Sequence, residues 1–122
     1  MQSQCVPLKP FSQNKARKGC QFKTKACADF MYSLRIYLLS QPKVDFPTEG
    51  DLEIHFLWGL SNYRLSDYDN PIKTAQDAIC THYGINDNQF VAGSQRKVKV
   101  QKGAEFIRFS ICTHNPEAWR GL

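Results

Sequence analysis

The stretch Leu65–Gln89, LSDYDNPIKTAQDAICTHYGINDNQ, gathers Asp67, Asp69, Asn70, Lys73, Asp77 and Asp87 into one short span of an otherwise basic chain. Pro71 has no amide proton and a fixed φ, which suits the first position of a helix, so Asn70 before it is the natural N-cap. Ile72, Ala75, Ile79 and Tyr83 then recur at helical spacing, and Gly84 is placed to end the run. The spacing predicts a helix from Pro71 to about Tyr83 with one face in a core. Lys73 and Asp77 fall together on the flank of that face, on the side of Asn70.

Upstream, Asp67 and Asp69 stand two apart in what reads as the extended end of a loop, where alternation points both carboxylates the same way. Two neighbouring carboxylates require that one be protonated or that a cation lie between them, and hard divalent ions such as Mg²⁺ prefer carboxylate oxygens. The same residue types have a plainer use, because Asp and Asn in turns and helix starts cap backbone amides. Taken alone, the residues leave both readings open. An EF-hand is excluded, since Pro71 occupies a ligand position and the motif's Gly and Glu are absent.

Outward from this stretch, 122 residues with 42% hydrophobic content are the size of one compact domain, 1–122, with one core. No apolar run is long enough to cross a membrane, and MQSQCVPLKP lacks the pattern of a signal peptide, so a soluble cytoplasmic protein is expected. Five scattered cysteines, never in a CxxC pair, argue against a disulfide framework and against a zinc knuckle. Reduced, partly buried thiols are expected.

The net charge of +5 is segregated. Lys9, Lys15, Arg17, Lys18, Lys23 and Lys25 precede the first acid, Asp29, and Arg96, Lys97, Lys99 and Lys102 form a second block with no acid before Glu105. A basic surround with an acidic centre suits a metal-dependent enzyme acting on a polyanion: lysines hold phosphates while carboxylates hold the cation.

Cys5–Leu8 reads as a short edge strand. Residues 9–25, KPFSQNKARKGCQFKTK, are polar, basic and broken by Pro and Gly, the pattern of a surface loop. Phe11 and Phe22 within it either pin the loop to the core or stack on unpaired bases. Phe30, Leu34, Tyr37 and Leu38 give a helix from about Ala26 to Ser40 its core-facing stripe. Leu52, Ile54, Phe56 and Trp58 alternate with Glu53 and His55, predicting a strand with one buried face and His55 outward as a solvated or hydrogen-bonded side chain. His82 and His114 carry no stronger signal. The segments 90–100 and 104–112 read as a hairpin through Lys102-Gly103. Trp119 in the tail is placed to cover an edge or a partner surface. The fold class expected is α+β, a mixed sheet of about four strands with two main helices.

These pieces resemble a known family. Asp67-Tyr68-Asp69-Asn70 with Lys73 and Asp77-Ala78-Ile79, followed by Asn86-Asp87-Asn88-Gln89, is similar to the DxDNxxKxxxDAL…DDxQ signature of RusA-type Holliday junction resolvases, small endonucleases of bacteria and phages. A KPxSxNK-like basic loop near the N-terminus and a closing basic strand with a Lys-Gly turn extend the resemblance over nearly the whole chain. The resemblance implies a RusA-like fold and a homodimeric, metal-dependent endodeoxyribonuclease that nicks four-way DNA junctions symmetrically. It further implies Mg²⁺, with Mn²⁺ as the alternative ion, on Asp67, Asp69 and Asp87, and a requirement for Lys73 in cutting. Asn70 and Asp77 take supporting roles as helix cap and as partner to Lys73. No small-molecule cofactor is implied. One departure stands out: the acidic pair of the signature is Asn86-Asp87 here, which leaves one acid.

The implied chemistry is coherent. Phosphodiester hydrolysis needs an activated water and neutralisation of charge on the transition state, and Lys73 is a compact cation able to orient the scissile phosphate. A two-fold junction cut on two opposed strands calls for two subunits. Two other classes fit the same residues: a nuclease for flaps or forks, because acids and lysines define phosphate chemistry better than DNA shape, and a DNA-binding module without catalysis.

Overall fold

The computed structural model describes residues 2–10, 17–18, 22–23, 25–61 and 72–121. Two helices pack with a four-stranded mixed sheet, an α+β arrangement. The sheet holds β1 (Gln4–Val6), β4 (Leu52–Leu60), β5 (Phe90–Lys99) and β6 (Phe106–Thr113) in the order β1-β6-β4-β5. A separate ribbon pairs β2 (Arg17–Lys18) with β3 (Phe22–Lys23), so the basic loop expected over 9–25 contains a short antiparallel pair. The helices are α1 (Lys25–Ser40) and α2 (Ile72–Tyr83). Among the described residues no helix is long and apolar enough to cross a membrane.

Helix α1 buries Cys27, Phe30, Leu34 and Leu38, positions three, four and four apart that share one face. Tyr37, expected in that stripe, lies at its half-buried border. Helix α2 buries Ala75, Ala78, Ile79 and Tyr83. It ends where expected: Gly84 turns to φ +69, a conformation that favours glycine, and the Ile85 amide returns to the Cys80 carbonyl at 3.0 Å while the Ile85 side chain is buried. That closure satisfies a carbonyl the helix would otherwise leave unpaired.

Strand β4 is the centre of the sheet. Leu52, Ile54, Phe56, Trp58 and Leu60 face the helices; Phe56 stacks on Trp58 with centroids 4.5 Å apart, and Phe109 beside them meets Phe46 at 5.6 Å. Burying each such large side chain contributes roughly 1.5–3 kcal/mol. The expectation of a single buried face is corrected here, because Glu53 and Gly59 on the opposite face are buried too. The tail covers the first, and the Phe106 ring lies where a Cβ on Gly59 would be, 2.3 Å away.

The hairpin expected between the last two strands does not form. β5 pairs with β4 in parallel, with Leu52 opposite Phe90 and Leu60 opposite Lys99, after the crossover through α2. β6 pairs with the other edge of β4, antiparallel, with Gly59 opposite Phe106 and Leu52 opposite Thr113. The intervening turn, with Gly103 at φ +94 and the Val100 amide on the Leu60 carbonyl at 2.9 Å, carries the chain past the end of β4. The physical reason is the composition of β4: a hairpin would leave one edge of the most apolar strand unpaired, whereas insertion between β5 and β6 satisfies both. Gly93 permits close pairing, since a Cβ there would stand 2.3 Å from the Ile54 carbonyl oxygen. β5 is left as an edge and carries exposed Arg96 and Lys99, the kind of charge that discourages edge-to-edge association.

Candidate functional site

Of the acidic stretch, Asp67, Asp69, Asn70 and Pro71 lie outside the described residues. Lys73 is exposed in the first turn of α2 and Asp77 is half-buried one turn later. Among the described residues, no ion pair joins them.

Asp87 opens a single 3-10 turn, Asp87–Gln89, capped by Asn86. The Asn86 side chain accepts from the Asn88 amide at 3.2 Å, and the Asn86 amide donates to Gln89 Oε1 at 2.9 Å. This reciprocal box gives Asn86 a structural role of its own. The position is an N-cap, where Asn and Asp serve equally well. Gln89 also donates through Nε2 to the carbonyls of Thr48 at 3.0 Å and Gly50 at 2.9 Å, tying the turn to the segment before β4. The exposed Asp87 carboxylate is thus carried on a fixed backbone, without a hydrogen bond or ion pair to another described residue. Asp87 and Asp77 share one neighbour: burial first, then Asp87 and Asp77, push the Cys80 thiol up to about 11.

Lys9, Lys25, Arg96, Lys99 and Lys102 are exposed, and Lys97 is half-buried. Lys15 and Phe11 lie outside the described residues, and Arg17, Lys18, Phe22 and Lys23 contribute the backbone of the small ribbon. The second basic block is thus spread along the edge strand β5 and the turn after it.

A second cluster was not anticipated. On the sheet face away from the helices, Glu53, His55 and Cys112 place a carboxylate oxygen, a ring nitrogen and Sγ within 4.8 Å of one another, a group able to hold a metal ion. Glu53 is buried. Its Oε1 accepts from His55 Nε2 at 3.0 Å and from Cys112 Sγ at 3.8 Å. Its Oε2 accepts from Trp119 Nε1 at 2.7 Å, His114 Nδ1 at 2.9 Å and the Asn115 amide at 3.2 Å. Burial by itself would raise the pKa of this carboxyl, but the hydrogen bonds from Trp119, Asn115, His55 and His114 outweigh it and hold the group at about 2. His55 Nδ1 in turn lies 2.6 Å from Ser94 Oγ on β5. His55 is the hydrogen-bonded strand histidine expected, and Trp119 covers the end of the sheet rather than standing free.

The signal for this cluster lay in two short patterns, Glu53-x-His55 and Cys112-x-His114. They meet because Glu53 and Cys112 are register partners across β4 and β6. The expected hairpin would have placed β6 elsewhere. Compared with models of known protein families and with curated proteins, the chain matches none.

Proposed function

We propose that the chain is a metal-dependent, structure-specific endodeoxyribonuclease that resolves four-way DNA junctions as a homodimer. The observation that carries this reading is the capped turn Asn86–Gln89, which follows α2 and holds the Asp87 carboxylate exposed, without a hydrogen bond to another described residue. A signature of the form D/N-D-x-Q acquires a physical meaning there: its first and last residues build the turn and its second is left free for a ligand. The mixed sheet with two helices agrees with the architecture that the resemblance implies.

Asp87 suits a hard divalent cation, being an exposed oxygen donor, and Asp67 and Asp69 complete the carboxylate set in this reading. Mg²⁺ bound there would supply Lewis acidity and an activated water. Lys73, an exposed ammonium on the first turn of α2, orients the scissile phosphate and offsets charge that develops on it. Arg96, Lys99 and Lys102 hold the DNA backbone, with Lys9, Lys25 and the ribbon 17–23 as the second basic arm.

Substituting Asp69 by Asn tests the reading. Cleavage of a four-way junction is lost while junction binding survives or tightens, because the carboxylate no longer repels phosphate. Unchanged cleavage by Asp69→Asn would remove the proposed metal site, and a wild-type protein that binds junctions without cutting would leave a DNA-binding module.

A further inference from the structure

We infer that Glu53, His55 and Cys112 form a second metal site, specific for a Zn²⁺-class ion and separate from the acidic stretch. The donor set is the first reason. A thiol, an imidazole and a single carboxylate oxygen select a borderline-soft transition metal, whereas Mg²⁺ takes oxygen ligands. The distances are the second. Tetrahedral Zn²⁺ with bonds of about 2.0–2.3 Å needs ligand-to-ligand edges of roughly 3.3 Å for N and O and 3.6 Å for S and O. The structure has His55 Nε2 to Glu53 Oε1 at 3.0 Å and Cys112 Sγ to Glu53 Oε1 at 3.8 Å, close to those two edges, and all three ligand atoms lie within 4.8 Å of one another, so binding draws the His55 and Cys112 side chains together.

The surrounding hydrogen bonds are divided as a metal centre requires. Glu53 Oε2 takes Trp119, His114 and the Asn115 amide, which leaves Oε1 for the ion and fixes the carboxylate plane. His55 Nδ1 faces Ser94 Oγ at 2.6 Å, the outer partner that a ligating histidine uses to set its tautomer. An independent feature lies on the same face of the sheet. Ser110 is buried with 6% exposure, its Oγ has no hydrogen-bond partner, and it sits directly opposite His55 in the β4–β6 register, two residues from Cys112. A buried hydroxyl without a partner is costly, and a water on the fourth position of the ion would satisfy it. On binding, the Cys112 thiol proton leaves to solvent and the His55 proton moves from Nε2 to Nδ1, where Ser94 Oγ accepts it. Three side chains and a water complete the coordination.

The test is Zn²⁺ titration of the full chain by chelator competition, together with the absorption spectrum of the Co²⁺-substituted protein. With excess Mg²⁺ present to occupy the carboxylate site of the proposed nuclease, one tightly bound Zn²⁺ per chain is expected, and Co²⁺ gives a thiolate-to-metal charge-transfer band in the near ultraviolet. Cys112→Ser and His55→Gln each weaken affinity by at least about 100-fold, since losing a direct ligand exceeds the effect of losing an outer partner. Cys5→Ser, at an exposed thiol remote in sequence from the cluster, leaves affinity and spectrum unchanged. Zn²⁺ affinity that survives Cys112→Ser, or a wild-type Co²⁺ spectrum without the charge-transfer band, overturns the assignment. The wild-type spectrum decides even where a variant fails to fold. None of these readouts involves cleavage, so this site and the proposed nuclease stand or fall separately.

Discussion

Asn86 and Gln89 cap one another, the amide of Asn86 donating to Gln89 Oε1 at 2.9 Å while the Asn86 side chain receives the turn's own amides. Asn86 therefore has a structural duty that Asp would perform as well. Asn86→Asp is expected to retain stability, whereas Asn86→Ala loses about 1 kcal/mol. Gln89→Ala loses more, because it also gives up the bonds to the Thr48 and Gly50 carbonyls. Denaturant unfolding of the three variants measures this, and an Asn86→Ala protein as stable as wild type would contradict the capping role.

Glu53 joins the centre of the sheet to the tail. Its carboxyl is held at about 2 against an ordinary 4.5, so its stabilising contribution is fully present above pH 4.5 and is lost as pH falls towards 2. Metal-free protein should lose stability over that window, and Glu53→Gln should flatten the loss. At neutral pH the same variant costs roughly 2–4 kcal/mol, since several buried donors lose a charged acceptor. Unfolding midpoints measured from pH 2 to 7 for both proteins check the sign. A Glu53→Gln protein with the wild-type acid profile would assign the acid lability to other groups.

Cys80 is buried and its thiol is pushed up to about 11, by burial first and then by Asp87 and Asp77. Thiolate is the reactive form, so alkylation of Cys80 at pH 8 should be far slower than that of exposed Cys5. Asp87→Asn removes one of the two negative neighbours and should bring the Cys80 pKa down. Peptide mapping after timed alkylation reads both effects, and a Cys80 rate equal to that of Cys5 would place the thiol outside the environment described.

Arg96 and Lys99 are exposed on the edge strand β5. If both contact phosphates, the double variant Arg96→Glu and Lys99→Glu binds junction DNA more weakly, and the slope of log affinity against log salt becomes shallower by about two. Binding measured at several salt concentrations gives the slope directly. An unchanged slope would take β5 out of the DNA interface.

Local patterns were legible in the sequence and pairing was not. Ala75, Ile79 and Tyr83 with Gly84 specify α2 because helical periodicity and a glycine stop are properties of neighbouring residues. The alternation from Leu52 to Trp58 specifies β4 in the same way. Which strand lies beside which depends on residues far apart: Lys102-Gly103 suits a hairpin turn, yet the apolar edges of β4 draw β5 and β6 to opposite sides. The Glu53, His55 and Cys112 cluster was hidden for that reason, since it exists only when Glu53 faces Cys112 across β4 and β6. Asp87 was visible as a motif residue, but the role of Asn86 became clear only with the reciprocal hydrogen bonds of the turn.

The most direct measurement is cleavage of an end-labelled four-way junction beside linear duplex and a fork, in Mg²⁺ and in EDTA, for wild type and Asp87→Asn. The proposed function predicts paired symmetric nicks in the junction with Mg²⁺, none in EDTA, and loss of cutting with retained binding in Asp87→Asn. Cutting that persists in EDTA, or in Asp87→Asn at the wild-type rate, would contradict it.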